Sequence, residues 1–267
     1  MKFSRLGAIL LRQFYLYRGS AARAIPLFAW VAIDMMLWGF MTKFLGSITQ
    51  SRYQFVPALL GAVLFWDFTS RVMQGVTISF FEDVWSRNFL NIFASPITVP
   101  EYVTALMISS VATSLIGVAV MVIISTLAFG LSFTVYGAML IPFIFVLLLF
   151  GMALGISAVA LVLRMGPAAE WFVWPIPALL SPFAAVYYPV ATLPMWMRWI
   201  SHLLPPSYVF EGMRTVVSGQ HFDANMLAIS VVLALAYVFL AYWLFTWVFR
   251  YAVRTGLIAR YSAESVN

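Results

Sequence analysis

The 267-residue chain contains no cysteine and only two histidines, and 9% of its residues are charged. Without cysteine, disulfides, thiolate nucleophiles and cysteine-ligated metals are excluded. Neither lysine, Lys2 or Lys43, follows a glycine, so the chain has no Walker A loop for a nucleotide. An HExxH zinc motif and a GxSxG nucleophile elbow are also missing. We therefore predict that this chain is not an enzyme and carries no metal or cofactor of its own.

Apolar residues make up 64% of the chain, and the mean hydropathy is +0.98. A soluble domain of this size cannot bury so much apolar surface, which indicates that the chain lies in a lipid bilayer. The formal net charge of +6 could indicate binding to nucleic acid. However, the basic residues cluster at both ends and beside apolar runs, which is typical of membrane topology. We expect no cleavable signal peptide, because arginines interrupt the N-terminus.

Long apolar runs predict an all-α polytopic membrane protein with six transmembrane helices in one domain, 1–267. The stretch from Gly130 to Gly137 predicts a turn between the third and fourth spans. Gly151 and Gly155 form a GxxxG motif, which permits close helix contact. The predicted spans are residues 24–46, 56–81, 99–129, 137–163, 168–188 and 225–249.

Two further segments are predicted to lie at the membrane surface. Residues 1–23 predict an interfacial amphipathic helix whose basic face is directed toward anionic lipid. An ordinary basic flank before the first span is the alternative. Residues 189–222 combine several prolines with aromatic residues, so they cannot form one continuous helix. We predict short re-entrant or interfacial helices there.

Six spans place both chain ends on one side of the membrane. Ten basic residues fall on the side of the N-terminus and four on the other side, with Arg71 left out because it lies inside a span. The excess of arginine and lysine marks the cytoplasmic side. Both termini are therefore predicted to be cytoplasmic, in a multi-pass protein of the cytoplasmic (inner) membrane.

The polar stretch Glu82–Glu101 interrupts the apolar sequence between the second and third spans. Within it, residues 83–95 predict a short amphipathic helix, with Trp85, Phe89 and Ile92 on one face. The Ser-Pro pair at 95–96 ends this helix, and a capping box at 98–101 starts the next one. The short helix is either a loop that rests on lipid headgroups or a lever that a soluble partner contacts.

Charged residues inside the predicted spans are candidate functional residues, because a bilayer makes buried charge costly. Asp67 and Arg71 have the i, i+4 spacing of an ion pair, and Asp34 lies near the middle of the first span. Glu170 begins the fifth span. A structural ion pair between packed helices is favoured over a substrate or proton pathway, since Asp67 has an obvious partner.

Two stretches make the chain resemble the ABC-2 type permease family. The first is EDVWSRNFLNIFASP at 82–96, a polar helix that ends in Ser-Pro. The second covers 189–214 and contains PVATLPMW, LPPSY and EGMR. An amphipathic N-terminus and six spans complete the resemblance, which covers essentially the whole chain.

The resemblance implies that the 83–95 helix is a coupling helix that docks onto a separate ATPase subunit. The implied coupling residues are Asp83, Trp85, Arg87, Asn88, Phe89 and Ile92. It also implies that 189–222 forms paired re-entrant helices at the outer face. The residues of interest there are Pro194, Trp196, Tyr208, Glu211 and Arg214.

Members of that family export polysaccharides, lipid-linked glycans, drugs or other amphiphiles. By resemblance, ATP and magnesium would bind the partner ATPase, and a second permease copy would complete the transporter. One alternative is an ion- or proton-driven secondary transporter that uses Asp34, Asp67 and Arg71. A membrane scaffold protein without transport is another.

Overall fold

The computed structural model describes residues 3–48, 55–86, 89–220 and 223–257, and the regular elements in these ranges are helices. Three 3-10 helices lie between the α-helices, at Phe133–Met139, Pro167–Ala169 and Val190–Thr192. The α-helices are α1 Phe3–Arg18, α2 Ala21–Ile48, α3 Phe55–Trp85, α4 Phe89–Ala94, α5 Val99–Phe129, α6 Leu140–Met165, α7 Glu170–Val173, α8 Ile176–Leu180, α9 Met195–Leu203, α10 Pro205–Val217 and α11 Ala224–Arg254.

Within these described ranges, four helical segments are long and apolar enough to cross a membrane. They are Phe28–Ser47 in α2, Val99–Phe129 (α5), Phe133–Met165, which contains α6, and Ala224–Arg254 (α11). The helix α3 has the same length as α5, 31 residues, but carries Asp67 and Arg71 near its middle. Each of these five helices overlaps one predicted span.

The predicted fifth span, 168–188, is not one continuous helix. It contains the two short helices α7 and α8, followed by turns from 181 onward. Pro175, Pro177 and Pro182 lie in this segment. Because proline has no backbone N–H, each of them removes a donor from the helical ladder. The 168–188 segment therefore runs as helical pieces.

The helix α6 occupies the centre of the bundle and packs against α3 and α11. The two GxxxG glycines make the contact with α3. A Cβ atom on Gly155 would lie 2.7 Å from the Val76 Cβ and 2.9 Å from the Met73 carbonyl oxygen. A Cβ atom on Gly151 would lie 2.7 Å from the Thr69 carbonyl oxygen. The motif thus joins two helices of the same chain.

Two apolar clusters mark opposite ends of the bundle. One cluster joins α1 to the end of α3, the start of α5 and the end of α11; we call this the α1 end. The other joins α10 to the first half of α3 and the starts of α6 and α11; we call this the α10 end. Representative residues are Ile9, Val84, Tyr102 and Ala252 at the α1 end, and Phe65, Phe143, Phe210 and Ala234 at the α10 end. Consequently, α1 and the end of α11 lie at the same end of the bundle.

The polar stretch between α3 and α5 differs from the predicted single helix at 83–95. The helix α3 continues through Trp85, and the separate short helix α4 covers only Phe89–Ala94. Asp83 and Trp85 therefore belong to the last turn of α3. The capping box at the start of α5 is confirmed, since the Glu101 carboxylate accepts a 2.9 Å hydrogen bond from the Thr98 N–H.

Candidate functional site

Three of the six implied coupling residues, Asp83, Trp85 and Ile92, have side chains that the structure describes. The Trp85 side chain is 55% exposed, and its ring lies 5.6 Å from the Phe81 ring. Ile92 is partly buried and packs against the α1-end cluster, so its side chain stabilises the protein's own core. Arg87, Asn88 and the Phe89 side chain lie outside the described residues. Among the described predicted residues, Trp85 is the one that offers a large exposed apolar surface.

Asp83 was predicted to face a partner, and the structure contradicts this. Its side chain is fully buried, where Arg12 of α1 forms an ion pair with one carboxylate oxygen. The Tyr102 hydroxyl of α5 donates a 2.8 Å hydrogen bond to the other oxygen. A carboxylate surrounded in this way cannot contact an ATPase. Asp83 instead ties α1, α3 and α5 together.

A second ion pair holds α1 against the start of α5. The Arg5 guanidinium lies 3.6 Å from the buried Glu101 carboxylate, which also caps α5. The basic face of the N-terminal helix was predicted to be directed toward anionic lipid, yet Arg5 and Arg12 both contact acidic residues of the same chain. We call Arg5, Arg12, Asp83, Glu101 and Tyr102 the α1 junction. Its acidic residues lie on either side of α4.

The sequence contained a partial signal for the α1 junction. Asp83 and Glu101 flank a short polar stretch, and the N-terminal segment is rich in arginine. However, local spacing cannot pair residues that lie about 70 to 100 positions apart in the chain. Only the packing of α1 against α5 brings them together.

The charges inside the predicted spans form a cluster on α2 and α3. The predicted ion pair is present, with 2.5 Å between the Arg71 Nε and an Asp67 carboxylate oxygen. Asp34 on α2 is partly exposed and within electrostatic range of both residues. We call Asp34, Asp67 and Arg71 the intramembrane charge cluster. Glu170 lies apart from it, at the start of α7.

Breaking the Asp67–Arg71 pair should destabilise the protein. We expect Asp67→Asn to lower the free energy of unfolding by about 1 to 3 kcal/mol, because it leaves the guanidinium without its counter-charge. Adding Arg71→Gln should restore part of this loss. Ser70→Ala is the control, since it removes only the 3.0 Å hydrogen bond to the Trp66 carbonyl.

Thermal stability of the detergent-solubilised variants measures these effects. If adding Arg71→Gln to Asp67→Asn restores none of the lost stability, the Asp67–Arg71 pair does not stabilise the protein as proposed. A stable double variant with lost transport would instead assign the pair a functional role.

The predicted outer residues Glu211 and Arg214 both hold a turn at 185–190. The Glu211 carboxylate accepts a 2.5 Å hydrogen bond from the Val190 N–H and lies 3.3 Å from the Arg214 guanidinium. Arg214 also donates to the carbonyl oxygens of Ala185, at 2.9 Å, and Val186, at 3.2 Å. Burial lowers the pKa of the Arg214 guanidinium, and the neighbouring Glu211 carboxylate opposes this shift. These two residues therefore fix backbone geometry.

The other predicted outer residues lie around α9 and α10. Pro194 precedes α9, Trp196 is 60% exposed on it, and the Tyr208 hydroxyl donates a 2.8 Å hydrogen bond to the His202 carbonyl. Arg198, which the sequence patterns did not single out, donates at 2.7 Å to the carbonyl of Leu193. An open cleft of about 590 Å³ lies between α10 and α11. Its polar lining includes His202, Tyr208, Glu211 and Asp223.

Neither the charge cluster nor the cleft resembles a metal centre. Within the described ranges, no three His, Asp or Glu side chains lie close enough together to hold a metal ion.

The comparisons with known proteins give one family. A family model described as ABC-2 type transporter matches residues 5–217, which is most of the chain. No curated protein matches it. The matched range begins within α1 and ends with α10, so it includes the α1 junction, the intramembrane charge cluster and the turn at 185–190.

Proposed function

The chain belongs to the ABC-2 type transporter family, and we propose that it is the membrane-spanning subunit of an ATP-driven exporter. It is a multi-pass membrane permease, and permeases of this family generally work with an ATPase subunit. The proposed cargo is an amphiphile, a lipid-linked or polysaccharide-type molecule, or a drug. ATP and magnesium would bind the ATPase, and a second permease copy would complete the exporter.

The six-span topology is supported by the packing of the broken fifth segment. Ala169 and Val173 belong to the cluster at the α1 end, whereas Ala184 and Val186 belong to the cluster at the α10 end. The segment thus runs from one end of the bundle to the other despite its prolines. Helical breaks are tolerated at membrane depth where they pack against protein. Together with the five long helices, this supports the proposal of six crossings.

The excess of basic residues favours a cytoplasmic α1 end in the inner membrane. The α10 end would then be the outer end. Phe210 and Met213 of α10 pack in one cluster with Phe65 and Trp66 of α3. Trp66 lies eleven residues from the start of α3, a depth of about 16 Å along the helix. This depth supports a re-entrant arrangement for 189–222.

The observation that carries the coupling proposal is the position of α4 between the two acidic residues of the α1 junction. ATP-driven movement of the ATPase would push α4. The neighbouring Asp83 and Glu101 would pass that movement to α1, α3 and α5 through their ion pairs. Exposed Trp85 beside α4 offers an aromatic anchor for the ATPase surface.

We expect Trp85→Ala to weaken ATPase binding by more than about 1 kcal/mol, or roughly fivefold, because large aromatic anchors dominate such contacts. Phe89→Ala should act in the same way, and Arg87→Glu should weaken binding in a salt-dependent manner. The measurement is recovery of the ATPase on immobilised, detergent-solubilised permease. Trp196→Ala is a matched control, since Trp196 is 60% exposed at the opposite end of the bundle.

Undiminished ATPase recovery with all three variants would refute the coupling surface. Equal losses for Trp85→Ala and Trp196→Ala would indicate a general effect on the permease instead.

The intramembrane charge cluster favours a second candidate function, that of a secondary transporter. Transport driven by a proton gradient in vesicles that contain no ATPase would support that candidate.

A further inference from the structure

The intramembrane charge cluster contains two carboxylates and one guanidinium. Arg71 forms its short contact with Asp67, and within the described residues no hydrogen bond or ion pair reaches the Asp34 carboxylate. Asp34 lies near the middle of α2, a 28-residue helix, and its side chain is partly exposed. A charge at this depth is costly unless a counter-charge or water accompanies it. The Arg71 charge also acts on Asp34, but its direct contact is with Asp67, so two carboxylates share one guanidinium and the cluster can accept a further positive group.

Two aromatic rings stand next to this carboxylate. Trp38 follows Asp34 by one helical turn, which puts both side chains on the same face of α2. The Trp38 ring stacks on the Tyr187 ring, with 5.3 Å between centroids and 14° between planes. Tyr187 is within electrostatic range of Asp34 and Asp67. All three side chains keep some exposed surface, and Tyr187 is 37% exposed.

Tyr187 is held in place by a constrained turn. Arg214 binds the two carbonyl groups that precede it, those of Ala185 and Val186. Ala185 has a φ of 51°, in the left-handed region that non-glycine residues rarely adopt. The next residue, Tyr188, donates a 2.9 Å hydrogen bond to the Pro182 carbonyl. The surrounding structure thus presents the Tyr187 ring to α2 in a defined position.

We propose that Asp34, Trp38 and Tyr187 form a binding site for an organic cation. The carboxylate supplies the opposite charge, and the two rings supply the electron-rich faces that attract quaternary or aromatic cations. An apolar cation fits this location better than a strongly hydrated amine, because the site lies at the level of the middle of α2, among apolar side chains. The inference rests on the proposed export function and specifies its cargo as a cationic amphiphile.

The test compares two probes of nearly the same shape and opposite charge. Tetraphenylphosphonium and tetraphenylborate are added to the full-length permease in lipid nanodiscs, and bound probe is measured by equilibrium dialysis. Empty nanodiscs are subtracted, because both ions also enter lipid. We expect saturable binding of tetraphenylphosphonium alone. Binding of tetraphenylborate with the same affinity would overturn the proposal.

Variants of Asp34 test the role of its charge. Asp34→Asn should weaken tetraphenylphosphonium binding at least about tenfold, whereas Asp34→Glu should retain most of it. The matched control is Asp223→Asn, which removes a carboxylate at the α10 end. Asparagine can replace Asp223 as the N-cap of α11, whose Asn225 N–H donates to it at 2.9 Å. Unchanged affinity in Asp34→Asn would refute the site.

Variants of Trp38 test the aromatic contribution. Trp38→Phe keeps an aromatic face and should bind within about threefold of the wild type, whereas Trp38→Leu should bind about tenfold more weakly. Equal affinities for these two variants would argue against cation–π recognition. If Asp34→Asn does not yield a monodisperse protein, the comparison of Trp38→Phe with Trp38→Leu tests the binding site by itself. The assay needs no ATPase, so its failure is distinct from a failure of the coupling experiment.

Discussion

Replacing Arg12 with methionine is expected to lower the free energy of unfolding by about 3 to 5 kcal/mol, because a buried carboxylate then loses its cation. Arg12 pairs with fully buried Asp83, and the Tyr102 hydroxyl would remain as the carboxylate's hydrogen-bond donor in the described structure. The measurement is the loss of the monodisperse peak on heating in detergent. The double variant Arg12→Met, Asp83→Leu should regain much of the stability, since it removes the buried carboxylate together with its cation.

The control for this experiment lies on the same helix. Arg18→Met makes the same substitution in the last turn of α1, where the arginine is exposed and makes no ion pair with the described residues. Its effect should stay within about 0.5 kcal/mol. Equal destabilisation by Arg12→Met and Arg18→Met would mean that the α1 junction does not hold α1 in place.

Adding one methyl group at Gly155 is expected to destabilise the protein by about 1 to 3 kcal/mol, because it overpacks the α3–α6 contact. The added Cβ would lie 2.7 Å from the Val76 Cβ and 2.9 Å from the Met73 carbonyl oxygen. A backbone atom of a packed helix cannot move aside as a flexible side chain can. Gly151→Ala should behave in the same way, because it meets the Thr69 carbonyl oxygen at 2.7 Å.

The same substitution at Gly7 serves as the control. Gly7 lies in α1 with no atom within 4 Å of its added Cβ, so Gly7→Ala meets open space. It should leave stability unchanged or raise it by up to about 1 kcal/mol, through helix propensity. Thermal unfolding of the three variants measures the difference. Comparable stability of Gly7→Ala and Gly155→Ala would show that α3 and α6 can separate without cost.

The sequence by itself determined the features that depend on neighbouring positions. Apolar runs predicted long helices over five of the six proposed spans, whereas the remaining one, 168–188, runs as short helical pieces around its prolines. The Asp67–Arg71 ion pair and the Thr98–Glu101 capping box follow from spacings of four and three residues. Such contacts form within one helix or one turn, so the local pattern contains the geometry.

The tertiary structure alone decided which distant residues meet. Asp83 looked like an exposed polar residue of a short helix, but the packing of α1 against α5 buries it under Arg12. The sequence around Trp38 and the sequence around Tyr187 gave no indication that the two rings stack. A constrained turn places the Tyr187 ring against Trp38 of α2. The GxxxG motif indicated a close contact without its partner, and the fold assigned it to α3. These contacts join residues far apart in the chain, and side-chain spacing along one helix has no information about the neighbouring helix.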